Sequence, residues 1–324
     1  MLEVRDLTKE FKVHVKAAGL RGSLRSLFFR EWKKVVALDK INLKVNEGEI
    51  VGVLGSNGAG KTTLIKILSG IVYPSSGEAR VLDYIPYKKE NAFRSQIALV
   101  MGQKAQLWWD LPAGDCFLLL KQIYQIPSQA YKERLAELSE TLDVCHVLNV
   151  PLRKLSLGER MKMEIIAALL HQPKVVFLDE PTIGLDIGAQ RAIRQFILEY
   201  RKKHSPIILV TSHYMDDIKA LCKRVLILRK GKLVYDGKLS EVQSKFSVYK
   251  IIVIQFKNEE ELKAFSVPHE WGKVIEKERD QLKLKVERDQ ANKVTQLILN
   301  QGGDFNLRIE EQSLDEVIDL VQKG

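Results

Sequence analysis

The sequence predicts an α/β fold in which a mainly parallel sheet forms a large first domain and a smaller α+β domain follows. Short apolar runs rich in β-branched residues alternate with helical patterns over the first 240 residues. This alternation is typical of a parallel sheet covered by helices on both faces. A glycine-rich turn interrupts the pattern at residues 55–62, and the pattern changes after about residue 240. A chain of 324 residues is long enough for two domains.

The first domain, residues 1–240, begins with predicted strands at 2–15 and 35–45. A third strand, 49–54, ends at the glycine-rich turn, and a helix is expected from Lys61 to Ser69. Residues from about 104 to 170 are mostly helical in pattern and are expected to form a helical subdomain. Further strands are predicted at Ile97–Met101, Val175–Leu178, Ile207–Val210 and Val225–Leu228, with a hairpin over 226–237.

The second domain, residues 241–324, has a different order of elements. Strands and helices are predicted at 248–256 (strand), 258–265 (helix), 272–288 (two strands), 290–300 (helix) and 305–309 (strand). A last helix is expected from Ser313, where Ser-x-x-Glu forms a capping box. The order β-α-β-β-α-β is that of a ferredoxin-like split unit. We expect a dimerisation or regulatory role for this domain.

Composition limits the class of protein. Hydrophobic residues make up 45% and charged residues 28%, which is ordinary for a globular chain and excludes collagen-like and largely disordered proteins. No apolar run is long enough for a membrane span, and the N-terminus lacks the apolar core of a signal peptide. We therefore expect a cytoplasmic protein, with Cys116, Cys145 and Cys222 reduced.

The charge is concentrated in the first domain. The whole chain carries a formal charge of +10, and residues from 241 onward contain 13 basic and 16 acidic side chains. A nucleic acid, a nucleotide or an anionic membrane surface is therefore a plausible partner. A basic insertion at about 16–34 places Leu20, Leu24, Leu27 and Phe28 at helical spacing. This segment is either an amphipathic helix that contacts lipid headgroups or the membrane partner, or an arm packed on its own domain.

The glycine-rich turn matches a phosphate-binding loop. Its sequence fits G-x-x-x-x-G-K-[ST] between a predicted strand and a predicted helix. Consecutive backbone N–H groups and the positive end of the helix dipole suit a phosphate chain. Lys61 is expected to bridge the β- and γ-phosphates, Thr62 to bind Mg²⁺ and Thr63 to contact the α-phosphate. The loop residues are Gly55, Ser56, Asn57, Gly58, Ala59, Gly60, Lys61 and Thr62.

A second motif consists of two adjacent carboxylates. The apolar run 175–178 ends at Asp179, and Glu180 follows it. Asp179 is expected to hold a water of the Mg²⁺ ion, and Glu180 to polarise the attacking water. Without the phosphate loop this pattern would equally well be a plain strand end.

The landmarks around these motifs resemble those of ABC ATPases. Leu155-Ser156-Leu157-Gly158-Glu159 resembles the family's signature sequence, with Leu157 replacing its usual glycine and Glu159 its usual glutamine. The remaining landmarks resemble the glutamine of the Q-loop (Gln103), the D-loop (Gly184-Leu185-Asp186), the switch histidine (His213) and the adenine-stacking aromatic (Phe11). Phe28, Phe29 or Trp32 could take the place of Phe11.

This resemblance implies a P-loop NTPase fold with an N-terminal antiparallel β subdomain and a helical subdomain. It also implies ATP and Mg²⁺ as cofactors, with Thr62, Gln103 and Asp179 at the metal and Glu180, His213 and Gln103 in catalysis. Two copies would form a head-to-tail dimer in which each ATP lies between the loop of one copy and Ser156 and Gly158 of the other. Asp186, in the D-loop, belongs to the same nucleotide site.

The same resemblance implies a transport function. ABC ATPases usually drive membrane-spanning permease subunits, so the protein is expected at the cytoplasmic face of the membrane. Wider stretches such as MGQKAQLWWDLPA resemble the ATPases of bacterial drug and polysaccharide exporters. Trp108 and Trp109 either contact the partner or pack in the core. The alternative is a soluble ABC ATPase acting on nucleic acid or the ribosome, which is weaker because the chain has neither a duplicated ATPase unit nor a Cys-x-x-Cys pair.

Overall fold

The computed structural model describes residues 1–15, 31–102 and 104–323. The chain divides into two compact units, Met1–Leu239 and Ser240–Gly324. Among the described helices, none combines the length and the apolar character that a membrane crossing requires.

The first unit alternates strands and helices. In chain order its elements are β1 (Leu2–Val15), β2 (Glu31–Val45), β3 (Ile50–Leu54), α1 (Lys61–Leu68), β4 (Ser76–Val81), α2 (Asn91–Arg94), β5 (Ile97–Met101), α3 (Ala113–Ile123), α4 (Ser128–Thr141), α5 (Leu157–Leu169), β6 (Val175–Asp179), α6 (Ile187–His204), β7 (Ile207–Thr211), α7 (Met215–Leu221), β8 (Arg224–Arg229) and β9 (Lys232–Lys238).

The central sheet of this unit has six strands in the order β5-β6-β7-β3-β8-β9. All neighbours are parallel except β9, which forms an antiparallel hairpin with β8. Every residue of β3, β6 and β7 is buried, because such strands are covered on both faces. The predicted mainly parallel sheet is confirmed. Since parallel strands end at the same edge, residues following β3, β6 and β7 lie close together.

A separate antiparallel sheet has the order β2-β1-β4. The β1–β2 pairing runs from Leu2 opposite Val45 to Val15 opposite Glu31. The predicted start of the second strand at residue 35 was therefore wrong by four residues, since the ladder with β1 continues to Glu31 and satisfies the backbone there. Residues 31–34 of the predicted insertion are thus strand. The predicted amphipathic helix falls on 16–30, outside the described residues.

The second unit is an antiparallel sheet with helices. Its elements, counting the helix at its start, are α8 (Leu239–Phe246), β10 (Tyr249–Phe256), α9 (Glu259–Ala264), β11 (Lys273–Glu278), β12 (Gln281–Glu287), α10 (Ala291–Asn300), β13 (Phe305–Glu311) and α11 (Leu314–Lys323). The sheet order is β11-β12-β10-β13, and every pairing is antiparallel. Because β12 lies between β10 and β11, the β-α-β crossover is split as in ferredoxin-like units.

The predicted order of elements from β10 to α11 is confirmed, whereas α8 was missed. The apolar face of the second sheet packs against residues of α9 and α10, with Ile252, Ile254 and Leu284 fully buried. At the start of α11, Ser313 Oγ accepts a hydrogen bond from the Glu316 backbone N–H at 3.2 Å. This contact is one half of the predicted capping box.

Candidate functional site

The predicted phosphate-binding loop joins the buried strand β3 to α1. Gly58 and Gly60 have φ values of 81° and 110°, which side chains other than glycine rarely adopt. A Cβ atom on Gly60 would also lie 2.5 Å from the Ala37 carbonyl oxygen. Gly60 is the N-cap of α1 and has no side chain to accept from the first-turn N–H groups. The loop therefore offers those N–H groups to an anion.

The Lys61 ammonium points into this loop. Its Nζ donates to the carbonyl oxygens of Gly55 at 2.5 Å and Ser56 at 3.3 Å, and the residue is 6% exposed. Burial lowers the pKa of Lys61, and the carboxylates of Glu180 and Asp179 partly oppose that shift. A phosphate group would supply the nearby negative charge that favours a buried ammonium.

Thr62 and Asp179 lie together at the sheet edge. Asp179 Oδ1 accepts hydrogen bonds from Thr211 Oγ1 at 2.7 Å and from Thr62 Oγ1 at 3.3 Å. Asp179 is buried at the end of β6, opposite Thr211 in the parallel register. Hydroxyl and carboxylate oxygens are the ligands that Mg²⁺ prefers. The described residues contain no cluster of three or more acidic, His or Cys ligands, so a Mg²⁺ ion here would need phosphate and water oxygens as well.

Glu180 and His213 contact each other. Glu180 Oε1 lies 2.7 Å from His213 Nε2. The Glu180 backbone N–H donates to Thr211 Oγ1 at 3.0 Å, and its φ is 57°. A positive φ at a residue other than glycine is a local strain that tends to occur at functional sites. The predicted base and the predicted switch histidine thus follow the adjacent strands β6 and β7. Gln103 lies outside the described residues.

The signature residues form the start of α5. Ser156 is the N-cap: its Oγ accepts from the Glu159 N–H at 3.2 Å, and its own N–H donates to Glu159 Oε2 at 2.9 Å. The Ser156 hydroxyl also donates to Glu159 Oε2 at 2.7 Å. These hydrogen bonds lower the pKa of Glu159. Leu157, which replaces the usual glycine, is the first helical residue and is 40% exposed.

Asp186 and Gly158 are neighbours in the same copy. Asp186 caps α6 through a 2.9 Å hydrogen bond that its Oδ1 accepts from the Ala189 N–H. A Cβ atom on Gly158 would lie 3.0 Å from the Ala189 Cβ, so α5 and α6 approach closely there. Within the described part of the chain, no hydrogen bond or ion pair joins Ser156 or Gly158 to the phosphate-binding loop.

The candidate adenine-stacking side chains lie on the long β1–β2 ribbon. Phe11 is 38% exposed, and the Lys9 ammonium lies 4.9 Å from the centre of its ring. Trp32, on the neighbouring strand, is 56% exposed. Both rings are therefore partly exposed to solvent, while Phe28 and Phe29 are outside the described residues.

Sequence reasoning missed a buried acidic residue, Asp217. It is 1% exposed, and its Oδ2 accepts from Ser212 Oγ at 2.6 Å and, in a very short contact, from Thr182 Oγ1. Arg194 Nε lies 3.5 Å from its Oδ1. Asp217 thus connects the loop after Glu180 to the loop that carries His213. Two acidic residues in a first helical turn look like ordinary partners of the helix dipole, so nothing in the sequence distinguished Asp217.

The segment after Gln103 is fastened to α5. Glu164 Oε1 accepts the backbone N–H groups of Gln106 at 2.9 Å and Leu107 at 3.2 Å. The Arg160 guanidinium lies 4.7 Å from the centre of the Trp109 ring. Trp108 and Trp109 are both 47% exposed, so the interpretation of these residues as core packing was wrong.

Comparison with known proteins agrees with this arrangement. A family model described as ABC transporter matches residues 38–183. The Bacillus subtilis ABC transporter ATP-binding protein NatA is 32% identical over 215 residues, which cover 66% of this chain and 87% of NatA. This chain belongs to the ABC transporter ATP-binding protein family.

Two further matches extend the comparison of this ABC ATPase. The Mycobacterium tuberculosis doxorubicin resistance ATP-binding protein DrrA is 33% identical, over 65% of this chain and 63% of DrrA. The solved structure of cbiO1 from Clostridium perfringens, described as part of the ABC transporter complex cbiONQ, superposes with a TM-score of 0.61 at 25% identity. That match covers 75% of this chain and 90% of cbiO1.

The predicted family, fold class and ATPase activity are confirmed. The protein is an ATP-binding and ATP-hydrolysing subunit that powers an ABC membrane transporter. The alternative of a soluble ATPase acting on nucleic acid or the ribosome is not favoured.

Proposed function

We propose that two copies of this ABC ATPase, or one copy and a related chain, clamp two ATP molecules and drive an exporter from the cytoplasmic face of the membrane. The observation that carries this proposal is the separation of the two phosphate-binding elements. Ser156 starts α5 with an exposed positive helix end, yet within the described residues it makes no bond to the loop around Lys61. A second copy can bring such a helix end to the γ-phosphate from the opposite side.

The loop residues and several residues outside the loop have specific tasks in the proposed ATP site. The N–H groups of the loop and the Lys61 ammonium hold the phosphate chain, and Thr63 contacts the α-phosphate. Thr62 and Gln103 bind Mg²⁺, and Asp179 acts through a water or through Thr62. The ion, when bound, neutralises charge that develops on the β- and γ-phosphates. Phe11 stacks on adenine.

Glu180 is the proposed base for the attacking water. It lies at the carboxyl end of β6, one residue beyond Asp179, and its positive φ holds it at the sheet edge. Glu180 accepts a proton from the water as the water attacks the γ-phosphate. His213, 2.7 Å from the same carboxylate, fixes the orientation of Glu180 and senses the γ-phosphate. Asp186, which caps α6 beside Gly158, couples the two ATP sites of the proposed dimer.

Loss of the γ-phosphate removes the bridge between the copies, so they separate after hydrolysis. The exposed Trp108 and Trp109 are the proposed contact for a permease subunit, since exposed tryptophans are frequent anchors of interfaces. Glu164 and Arg160 hold this segment against α5. A movement of the permease subunit at this contact is therefore transmitted along α5 to Ser156. Export is supported by the resemblance to exporter ATPases and by the name of DrrA. The second unit has a proposed dimerisation or regulatory role.

The test uses Glu180→Gln, which keeps the shape of the side chain but removes the base. We expect ATP to convert this variant into a stable dimer while its turnover falls at least about 100-fold, the range for loss of a general base. Light scattering after gel filtration measures the dimer, and phosphate release measures turnover.

Two further variants make the result specific. Adding Lys61→Ala to Glu180→Gln should abolish the dimer because nucleotide affinity is lost. Adding Lys203→Ala, whose exposed ammonium pairs with Glu137 on the surface, should leave the dimer unchanged. A Glu180→Gln chain that stays monomeric at saturating ATP overturns the clamp, and parental turnover overturns the role of Glu180.

A further inference from the structure

The second unit contains a cavity that no step of the ATPase cycle uses. Its volume is about 420 Å³, which lies within the range of small-molecule sites. It opens where α9 and α10 end above the sheet, and the beginning of β13 closes one side. The cavity is lined by aromatic rings and a few polar groups, which is the usual composition of a ligand pocket.

Three phenylalanine rings form its apolar wall. The ring centres of Phe256 and Phe265 are 5.1 Å apart, and each lies 5.8 Å from that of Phe305. The rings meet at angles of 57° to 75°, so they present faces in different directions. Phe256 is buried, whereas Phe265 and Phe305 are half-buried. The two half-buried rings keep surface that a ligand can cover.

Two glycines form part of the rim without adding side chains. Gly302 and Gly303 follow α10 with φ values of 72° and 123°. A Cβ atom on Gly303 would lie 3.2 Å from atoms of the Phe305 ring, and one on Gly302 would meet nothing within 4 Å. Such backbone angles favour glycine. Because glycine has no side chain, nothing at these two positions covers the Phe305 ring.

The polar groups at the rim are mainly acidic. Glu261 and Asp304 both line the cavity. The Lys257 ammonium pairs with Asp304, and the Lys257 N–H donates to Glu261 Oε2 at 3.3 Å. The ammonium thus pairs with Asp304, and among the described residues Glu261 receives only a backbone N–H, so the two carboxylates and one ammonium leave the rim with a net negative charge. Aromatic faces and the carboxylate of Glu261, which no ammonium pairs with in these contacts, together attract an organic cation.

We propose that this cavity binds a compact organic cation, an ammonium or phosphonium carrying aromatic groups. The rings of Phe256, Phe265 and Phe305 cover the apolar groups of the ligand, while Glu261 and Asp304 face its positive charge. The site lies entirely within the second unit. It is independent of ATP binding and of the proposed clamp.

The probe is tetraphenylphosphonium, and its control is tetraphenylborate, which has nearly the same shape and the opposite charge. Calorimetric titration of the full chain should show phosphonium binding at least tenfold tighter than borate binding. Trp271 gives a second signal, because its ring centre is 6.5 Å from that of Phe265. A chain with Trp32, Trp108 and Trp109 replaced by Phe isolates its fluorescence, which phosphonium should change.

Three variants locate the site. Ala264→Phe, at an exposed rim position, should block the cavity and weaken phosphonium binding at least tenfold. Glu261→Gln should weaken it about three- to tenfold, as expected for one lost charge contact at a partly exposed site. Glu259→Gln, in the first turn of the same helix but outside the lining, should have no effect.

The proposal is overturned if phosphonium fails to bind the full chain. It is equally overturned if borate binds as tightly as phosphonium or if Ala264→Phe leaves phosphonium affinity unchanged. Circular dichroism of each variant confirms that it is folded. Because none of these measurements involves ATP, their failure leaves the clamp untouched.

Discussion

The two units differ in what they bury. Among the described residues, the buried charged side chains Lys61, Glu164, Asp179 and Asp217 all belong to the first unit. The buried polar side chains described in the second unit are those of Ser247 and Gln312, neither of which is charged. Burying a charge is costly unless it is paired. Two of these charges, Lys61 and Asp179, lie at the sheet edge where the proposed phosphate chemistry takes place.

Among the described residues, positive φ at non-glycine positions occurs at eleven residues of the first unit and at one of the second. Glu180 has a positive φ at the end of a buried central strand. In the second unit, Arg279 has a positive φ in the tight turn between β11 and β12, where hairpin geometry commonly requires it. Lys230, between β8 and β9 in the first unit, has the same kind of turn conformation as Arg279, whereas Glu180 is the proposed base.

Asp217→Ala, in the first unit, should have the greatest effect on stability. Removing one partner of a buried ion pair typically costs about 3–5 kcal/mol, and Arg194, Ser212 and Thr182 would all lose their shared acceptor. We also expect turnover to fall, because the loops carrying Glu180 and His213 lose their link. Urea unfolding and phosphate release measure the two effects.

The matched change in the second unit is Glu259→Ala. Its carboxylate pairs with Lys263 at 2.7 Å on an exposed helix surface, where such pairs contribute about 0.3–0.5 kcal/mol. The double variant Asp217→Ala/Arg194→Ala should be less destabilised than the sum of its single changes. If Asp217→Ala cost no more than Glu259→Ala, the contrast between buried and exposed charges would not hold.

A smaller effect is expected from Glu159→Gln. In the first unit Ser156 donates its hydroxyl to the Glu159 carboxylate, which places a negative charge beside the proposed γ-phosphate contact. Glutamine keeps an acceptor for the cap but removes this charge. In the Glu180→Gln background, ATP-dependent dimerisation should tighten about three- to tenfold, or about 1 kcal/mol. The gain should shrink at high salt.

The second unit supplies the control, since α11 begins with the same Ser-x-x-Glu spacing. Ser313 accepts from the Glu316 N–H, as Ser156 does from that of Glu159. No phosphate contact is proposed at Ser313, so Glu316→Gln should leave ATP-dependent dimerisation unchanged. Equal effects of the two substitutions, or weaker dimerisation of Glu159→Gln, would mean that the Glu159 carboxylate does not repel the bound nucleotide.

Local patterns allowed much of the fold to be predicted from the sequence. The buried strands β3, β6 and β7 are short apolar runs bounded by turn residues. The loop before Lys61 has the G-x-x-x-x-G-K-[ST] spacing, which is typical of phosphate-binding loops. The start of β2 was misplaced because Trp32, Lys33 and Lys34 lack strand-like alternation. Pairing with β1 decides their conformation instead.

The site was predicted less completely, for a different reason. Asp179, Glu180 and His213 could be placed together because parallel strands share an edge. Asp217 and Glu164 could not, because their importance depends on which distant groups the fold brings to them: Ser212, Thr182 and Arg194 in one case, and the N–H groups of Gln106 and Leu107 in the other. Spacing along a helix carries no information about such contacts.

The last prediction concerns Glu164. Burial raises its pKa despite the N–H groups of Gln106 and Leu107, which act in the opposite direction. The folded chain therefore binds this proton more tightly than the unfolded chain. The resulting stabilisation is full below the unfolded pKa, near 4.5, and is lost as pH rises through the folded pKa. The glutamine of Glu164→Gln cannot titrate. The free energy of unfolding of this variant should therefore increase relative to that of the parent as pH rises through the folded pKa of Glu164.

The gain should be on the scale of one hydrogen bond, about 0.5–1.5 kcal/mol, and urea unfolding at a series of pH values measures it. Glu164→Ala separates charge from hydrogen bonding. It leaves the two N–H groups without an acceptor and should be less stable than the parent at every pH. If Glu164→Gln followed the parent at all pH values, the buried carboxylate would impose no cost, and the first unit would hold this charge as easily as the second unit holds its surface charges.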